Sequence, residues 1–157
     1  MADIFIKIDG IAGESQDATH ADEIEVLHWG WAVTQASSMH SGSGGGAAKA
    51  TVDDLSFTHE MDRASPNLAA YAFRGQHIQK AVLTMRKAGG VPHEFLRITL
   101  SDVIVTHVEP VAGGGTALEH VRLSFARMTQ EYIVQNRVGG SQGTVTALID
   151  VKANAVT

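Results

Sequence analysis

Leu118-Glu-His-Val-Arg-Leu-Ser-Phe125 has the pattern of a β-strand. Val121, Leu123 and Phe125 alternate with Arg122 and Ser124, the period of two of a half-buried strand rather than the 3.6 of a helix. The extended pattern continues to Gln135. Upstream, Glu94 to Glu109 keeps Leu96, Ile98 and Leu100 in phase, and the phase slips at Asp102. Before it, His77 to Lys87 sets Ala81, Leu83 and Met85 on one face and stops at Ala88-Gly-Gly90. Downstream, Gly139-Gly-Ser-Gln-Gly143 turns the chain into a last strand, Thr144 to Lys152. At the other end, Ile4, Ile6 and Ile8 alternate with Lys7 and Asp9 until Gly10-Ile-Ala-Gly13 breaks the run.

Between these lies a longer extended run, about Asp22 to Gln35. Leu27, Trp29, Trp31 and Val33 fall on one face, with His28, Gly30 and Ala32 on the other. Ile24 and Val26 are out of phase with the tryptophans, which predicts a bulge near Val26–Leu27. On a face shared with Leu27 and Val33, the tryptophans read as core, because large aromatics bury readily. Ser37 to Ala50, rich in glycine and serine, reads as a mobile loop. A strand resumes over Thr51–Glu60.

The clear helix comes next. Ser65 suits an N-cap, Pro66 the first helical position, and Gly75 the stop. Leu68, Ala69, Ala72 and Phe73 form an apolar stripe expected to pack on the core. Seven strands and one short α-helix predict a mainly β fold, a closed β-barrel or a sandwich of two sheets, in a single domain over residues 1–157.

Composition narrows the function classes. A chain of 157 residues is long enough to bury roughly 70% of its unfolded surface without a staple. It has no cysteine, which removes disulfides, thiolate metal sites and cysteine nucleophiles. A net charge of -5 gives no electrostatic footprint for nucleic acid or for an anionic membrane. The first residues enter a strand pattern without the basic and apolar regions of a signal peptide. Nor does any run approach the ~20 apolar residues of a membrane helix. Cytoplasmic synthesis is the expectation.

The chemical motifs fail on context. Gly139-Gly-Ser-Gln-Gly143 matches G-x-S-x-G, yet a strand follows Ser141 where the hydrolase elbow needs a helix, and no histidine follows His120. Gly42 to Lys49 invites a phosphate-loop reading, but Ala48 and Ala50 stand where glycine and a hydroxyl are required. His107 and Glu109, like His59 and Met61, lie two apart on one strand face without a third metal ligand, and read as surface or interface residues. Asp22-Glu23 and Asp53-Asp54 are adjacent in sequence, so their side chains point to opposite faces of a strand, unlike an acid/base couple. No catalytic residue, metal or cofactor is expected.

Taken in order, several segments resemble the Hcp (haemolysin co-regulated protein) family, which forms the inner tube of type VI secretion machines. They are Ile4-Phe-Ile-Lys-Ile-Asp-Gly-Ile, Gly13-Glu-Ser, Asp22-Glu-Ile-Glu-Val-Leu, Trp29-x-Trp31, Asp54-Leu-Ser-Phe-Thr-His59, Ser65-Pro-Asn-Leu68 and Arg86-Lys-Ala-Gly-Gly90. The segment running through His40, Ser41, Gly42, Ser43, Gly44, Gly45 and Gly46 to Lys49 is similar to the family's glycine-rich extended loop. Near the final Asp-x-Lys the family usually carries an aromatic residue, where this chain has Leu148 and Ile149.

The resemblance implies a closed barrel carrying a helix, self-assembled into six-membered rings that stack as a hollow tube. It implies a contractile sheath, a VgrG-type spike and effector cargo as partners, and export without a signal peptide. It places the loop at contacts between subunits or rings, and the face holding His28, Gly30 and Ala32 along the channel. The competing reading is a monomeric β-barrel that holds a small ligand. Bulky Trp29, Trp31, Phe57 and Phe125 argue for a filled interior instead.

Overall fold

The computed structural model describes residues 2–36, 49–88, 92–138, 140–152 and 155–156. Its elements run β1 (Ala2–Ile8), β2 (Ile24–Glu25), β3 (His28–Gly30), β4 (Val33–Thr34), β5 (Thr51–Val52), β6 (Leu55–Glu60), α1 (Ser65–Arg74), β7 (Ile78–Lys87), β8 (His93–Gly113), β9 (Thr116–Gln135), β10 (Ser141–Asp150) and β11 (Ala155–Val156).

The long strand β9 organises the sheet. One edge pairs with β8 from Gly113↔Thr116 to Leu96↔Tyr132. The other edge is divided, with Leu118 to Leu123 against β6 and Arg127 to Gln135 against β10. The path β11-β10-β9-β8-β7-β1-β2 therefore carries a branch through β6 to β3, and β4 and β5 form a small second sheet. The paired strands do not close into a barrel among the described residues, which is consistent with a sandwich.

One corner joins the two halves of the large sheet. The Val26 N–H donates to Ile4 O at 2.9 Å, and the next N–H, of Leu27, donates to Thr58 O at 2.8 Å. Consecutive amides thus serve β1 and β6. This is the irregularity expected at Val26–Leu27, but its effect is larger than a bulge. The run from 22 to 35 becomes three short strands, each with its own partner. Leu27 and Val33 consequently lie exposed, and the expectation that they share a core face with the tryptophans fails. Trp29 and Trp31 are half-buried against the core.

The core gathers Ile6, Leu83 and Ile98 from one half, Phe57, Val105 and Leu123 from the other, and Leu68 from the helix. Among the described residues, side chains of that bulk fill the interior, as in a barrel without a ligand site. The phase slip at Asp102 is present. β8 buries Leu96, Ile98 and Leu100 before it and Val103 and Val105 after it. Asp102 sits at φ 54°, a left-handed conformation that short polar side chains tolerate and that resets which face turns inward. β9 changes phase opposite it, from Phe125 to Met128, so both strands keep an apolar side inward around the bend.

The helix corrects two expectations. Its N-cap is Ala64, with no side-chain cap, and Ser65 is already helical and buried. The Ser65 hydroxyl instead accepts the Asp62 N–H at 3.1 Å, while Asp62 Oδ1 accepts the Ala64 N–H at 2.9 Å. Ala64, Leu68 and Tyr71, spaced by four and three, form the inward stripe. Ala69 and Phe73 lie off that stripe, and Phe73 is 94% exposed. Gly75 does stop the helix, at φ 60° with its N–H donating to Ala72 O.

Candidate functional site

The register of four strands builds one polar face. His28 stands opposite Thr58, Thr58 opposite His120, and His120 opposite Glu109. In the neighbouring row Gly30, Ser56, Arg122 and His107 correspond. Residues in register point to the same side of a sheet, so these groups share a face away from Phe57, Val121 and Leu123. On that face Thr58 Oγ1 and His120 Nδ1 are hydrogen-bonded at 2.8 Å, and His107 Nε2 meets Glu109 Oε1 at 3.2 Å.

Gly30 faces open space on this surface, since a Cβ there would meet nothing within 4 Å. Beside it is an open depression lined by Trp31, Ala32, Asp53, Ser56 and Arg122. Trp29 turns the other way, toward the core, with its indole N–H donating to Met85 Sδ at 3.2 Å. The sequence-derived separation of His28 and Gly30 from Trp29 is therefore correct in register. Ala32 lies exposed just past β3.

Lys49 is exposed at the entry to β5. The remainder of the expected contact loop (His40, Ser41, Gly42, Ser43, Gly44, Gly45 and Gly46) lies outside the described residues. The segment is flanked by the β4–β5 pair, Val33↔Val52 and Thr34↔Thr51.

The sequence reading missed two buried polar clusters. His59, expected at the surface or an interface, is fully buried, and its Nε2 lies 2.8 Å from Oε1 of the equally enclosed Glu119. Its Nδ1 has no hydrogen-bond partner, with Asp62 Oδ1 3.8 Å away. Burial raises the pKa of the Asp62 carboxyl, against the opposing pull of the Ala64 N–H. A signal existed: His59 continues the inward phase of Leu55 and Phe57, as Glu119 does that of Val121 and Leu123. Two strands carrying an in-phase polar residue are candidates for mutual satisfaction.

The second cluster centres on His20, stacked on Phe5 at 4.6 Å between ring centroids. Its Nδ1 meets Glu23 at 2.9 Å and its Nε2 meets Glu94 at 2.6 Å. Burial opposes charge on this ring, but the two carboxylates outweigh it and raise its pKa. Nearby, Arg86 reaches Asp17 at 2.7 Å and Asp3 at 3.1 Å.

A groove runs between α1 and β8. Met61, Pro66, Ala69, Phe73, Val108 and Pro110 form its apolar walls, and Asp62 and Glu119 also line it. Among the described residues no group of three or more histidine, aspartate or glutamate side chains is placed to hold a metal. Ser141 opens the exposed strand β10 rather than a helix, so it does not sit in a nucleophile elbow. Nor is any described helix long and apolar enough to cross a membrane.

A packed core and outer faces of contrasting chemistry define a β-sheet protein that displays its polar groups and its apolar groove on its surfaces. The family model described as "Type VI secretion system effector, Hcp" matches residues 5–132. The chain belongs to the Hcp family of type VI secretion tube proteins. It is 46% identical to Protein hcp1 of Pseudomonas aeruginosa over 144 residues, 90% of this chain and 89% of that one. The crystal structure of Hcp1 from Salmonella typhimurium is 48% identical, with 99% of both chains covered and a TM-score of 0.83. A type VI secretion system effector from Yersinia pestis is 41% identical, covering 95% of this chain and all of that one, with a TM-score of 0.80. The family match ends before β10, the strand that carries Leu148 and Ile149.

Proposed function

We propose that six copies of this chain close into a ring, that rings stack into the hollow inner tube, and that the polar face around His28, Gly30 and Ala32 lines its channel. The observation that carries this reading is the in-register polar face on a chain of the Hcp family. A tube needs a hydrated inner wall, and this sheet surface, built from histidine, threonine, serine and arginine, offers one. The glycine-rich segment ending at Lys49 serves contacts between subunits or rings. The outer wall meets a contractile sheath, a VgrG-type spike caps the tube, and effectors travel within it as the tube leaves the cell. The role is structural and carries no catalysis.

Native mass of the purified protein tests the assembly directly. Six copies across micromolar concentrations are expected. A spectrum of monomer or dimer alone would refute the ring, since a head-to-tail interface whose rotation closes gives a ring of fixed copy number.

A further inference from the structure

We infer that the groove between α1 and β8 receives the β9–β10 turn of a neighbouring copy of this chain, with Val138 entering beside Phe73 and Arg137 turned toward Asp62. The inference rests on the self-assembly proposed above and names the surfaces that meet.

Four observations support it. The first is apolar: Phe73 is 94% exposed and Val138 is 91% exposed, the two most open large apolar side chains described. Water contact at such residues is relieved when they meet. The second is charge. Asp62 lines the groove, and Glu14, Glu25 and Glu60 line an adjoining depression that also includes Met61 and Asp62. Arg137, adjacent to Val138, makes no ion pair among the described residues, so a cation and an apolar group arrive together at an acidic, apolar-walled groove.

The third is position. Glu119, near the start of the twenty-residue β9, lines the groove, whereas the turn follows the end of the same strand. One continuous strand separates the two surfaces, so the turn reaches a groove only on another copy. That is the arrangement of two different patches a head-to-tail contact requires.

The described residues of the turn are also tied together in advance. Asn136 Oδ1 accepts the Val138 N–H at 3.0 Å and the Gly140 N–H at 2.8 Å, and the Asn136 N–H donates to Gly140 O at 2.8 Å. A tip held by its own hydrogen bonds loses little freedom on docking.

Cysteine cross-linking tests this cleanly, because the chain has no cysteine of its own. A disulfide forms only when two Cα atoms approach within about 7 Å. The double variant Phe73→Cys/Val138→Cys, oxidised in its assembled state, is expected to give a ladder of covalent multimers on a non-reducing gel. Either single variant is expected to stay monomeric on that gel. Arg137→Glu, on the exposed tip, is expected to move assembly to roughly tenfold higher protein concentration. Rings of native mass without a ladder in the double variant would overturn this contact and leave the tube reading standing. Covalent dimers from a single variant would overturn the head-to-tail pairing. No assembly by the unaltered protein would overturn the tube reading, and this contact with it.

Discussion

His59 and Glu119 stand directly opposite each other on β6 and β9, Nε2 to Oε1 at 2.8 Å, and both are shut away from solvent. Each supplies the other's hydrogen bond where water does not reach. Glu119→Leu is expected to lower stability by about 1–3 kcal/mol in urea unfolding, because His59 is left unsatisfied. The double variant His59→Leu/Glu119→Leu should lose clearly less than the sum of the two single losses. Strict additivity would mean that the pair is not coupled.

The His20 cluster predicts a pH dependence of definite sign. Its folded pKa lies above the usual 6.5, because Glu23 and Glu94 favour the charged ring more than burial opposes it. The stabilisation is therefore complete below about 6.5 and is lost as pH rises through the folded value. The stability gap between the native protein and His20→Asn should be larger at about pH 5 than at about pH 9. An equal gap at both would dismiss the cluster as an energetic link. Asp17 acts in the opposite sense. Its hydrogen bond to Arg86 holds it far below the usual 3.8, so its contribution is present above that value and fades in acid.

Gly30→Arg is expected to fold and assemble, with stability changed by about 0.5 kcal/mol or less, because its Cβ enters open space and glycine inside a strand is already unfavourable. If this face lines the channel, each ring then carries a cationic side chain from every subunit into the passage. Effector co-purification with assembled rings should fall sharply. Undiminished co-purification would remove this face from the channel.

Deleting Gly42–Gly46 removes only glycine and serine, with no apolar side chain to bury. Thermal unfolding is expected to shift by only a few degrees, while tube formation seen by electron microscopy weakens. Lys49→Glu, at an exposed position, should act in the same direction. Unchanged tubes in the deletion variant would free the segment from any role in assembly.

Local alternation made the strands legible. Ile4, Ile6 and Ile8, Leu96 to Leu100, and Val121 to Phe125 alternate because each strand buries one face, and that constraint is written residue by residue. The slip at Asp102 was legible for the same reason, as were the stop at Gly75 and the family resemblance, whose segments fall in order along the chain. The sequence also separated His28 and Gly30 from Trp29, since side-chain direction in a strand follows from parity alone.

Partnership belongs to the tertiary structure. The run from 22 to 35 reads as one strand because nothing local reveals that the Val26 and Leu27 amides go to different strands. Once they do, parity no longer fixes burial, and Leu27 and Val33 turn outward. The helix shows the same limit. Its spacing allows either Leu68 with Tyr71 or Ala69 with Phe73 to face inward, and only its placement against β8 chooses the first. His59 and Glu119, sixty residues apart, become a buried pair through the β6–β9 register alone. Periodicity is a property of a segment, whereas register and contact belong to pairs of segments, so the first is settled by the sequence near each residue and the second by the assembled fold.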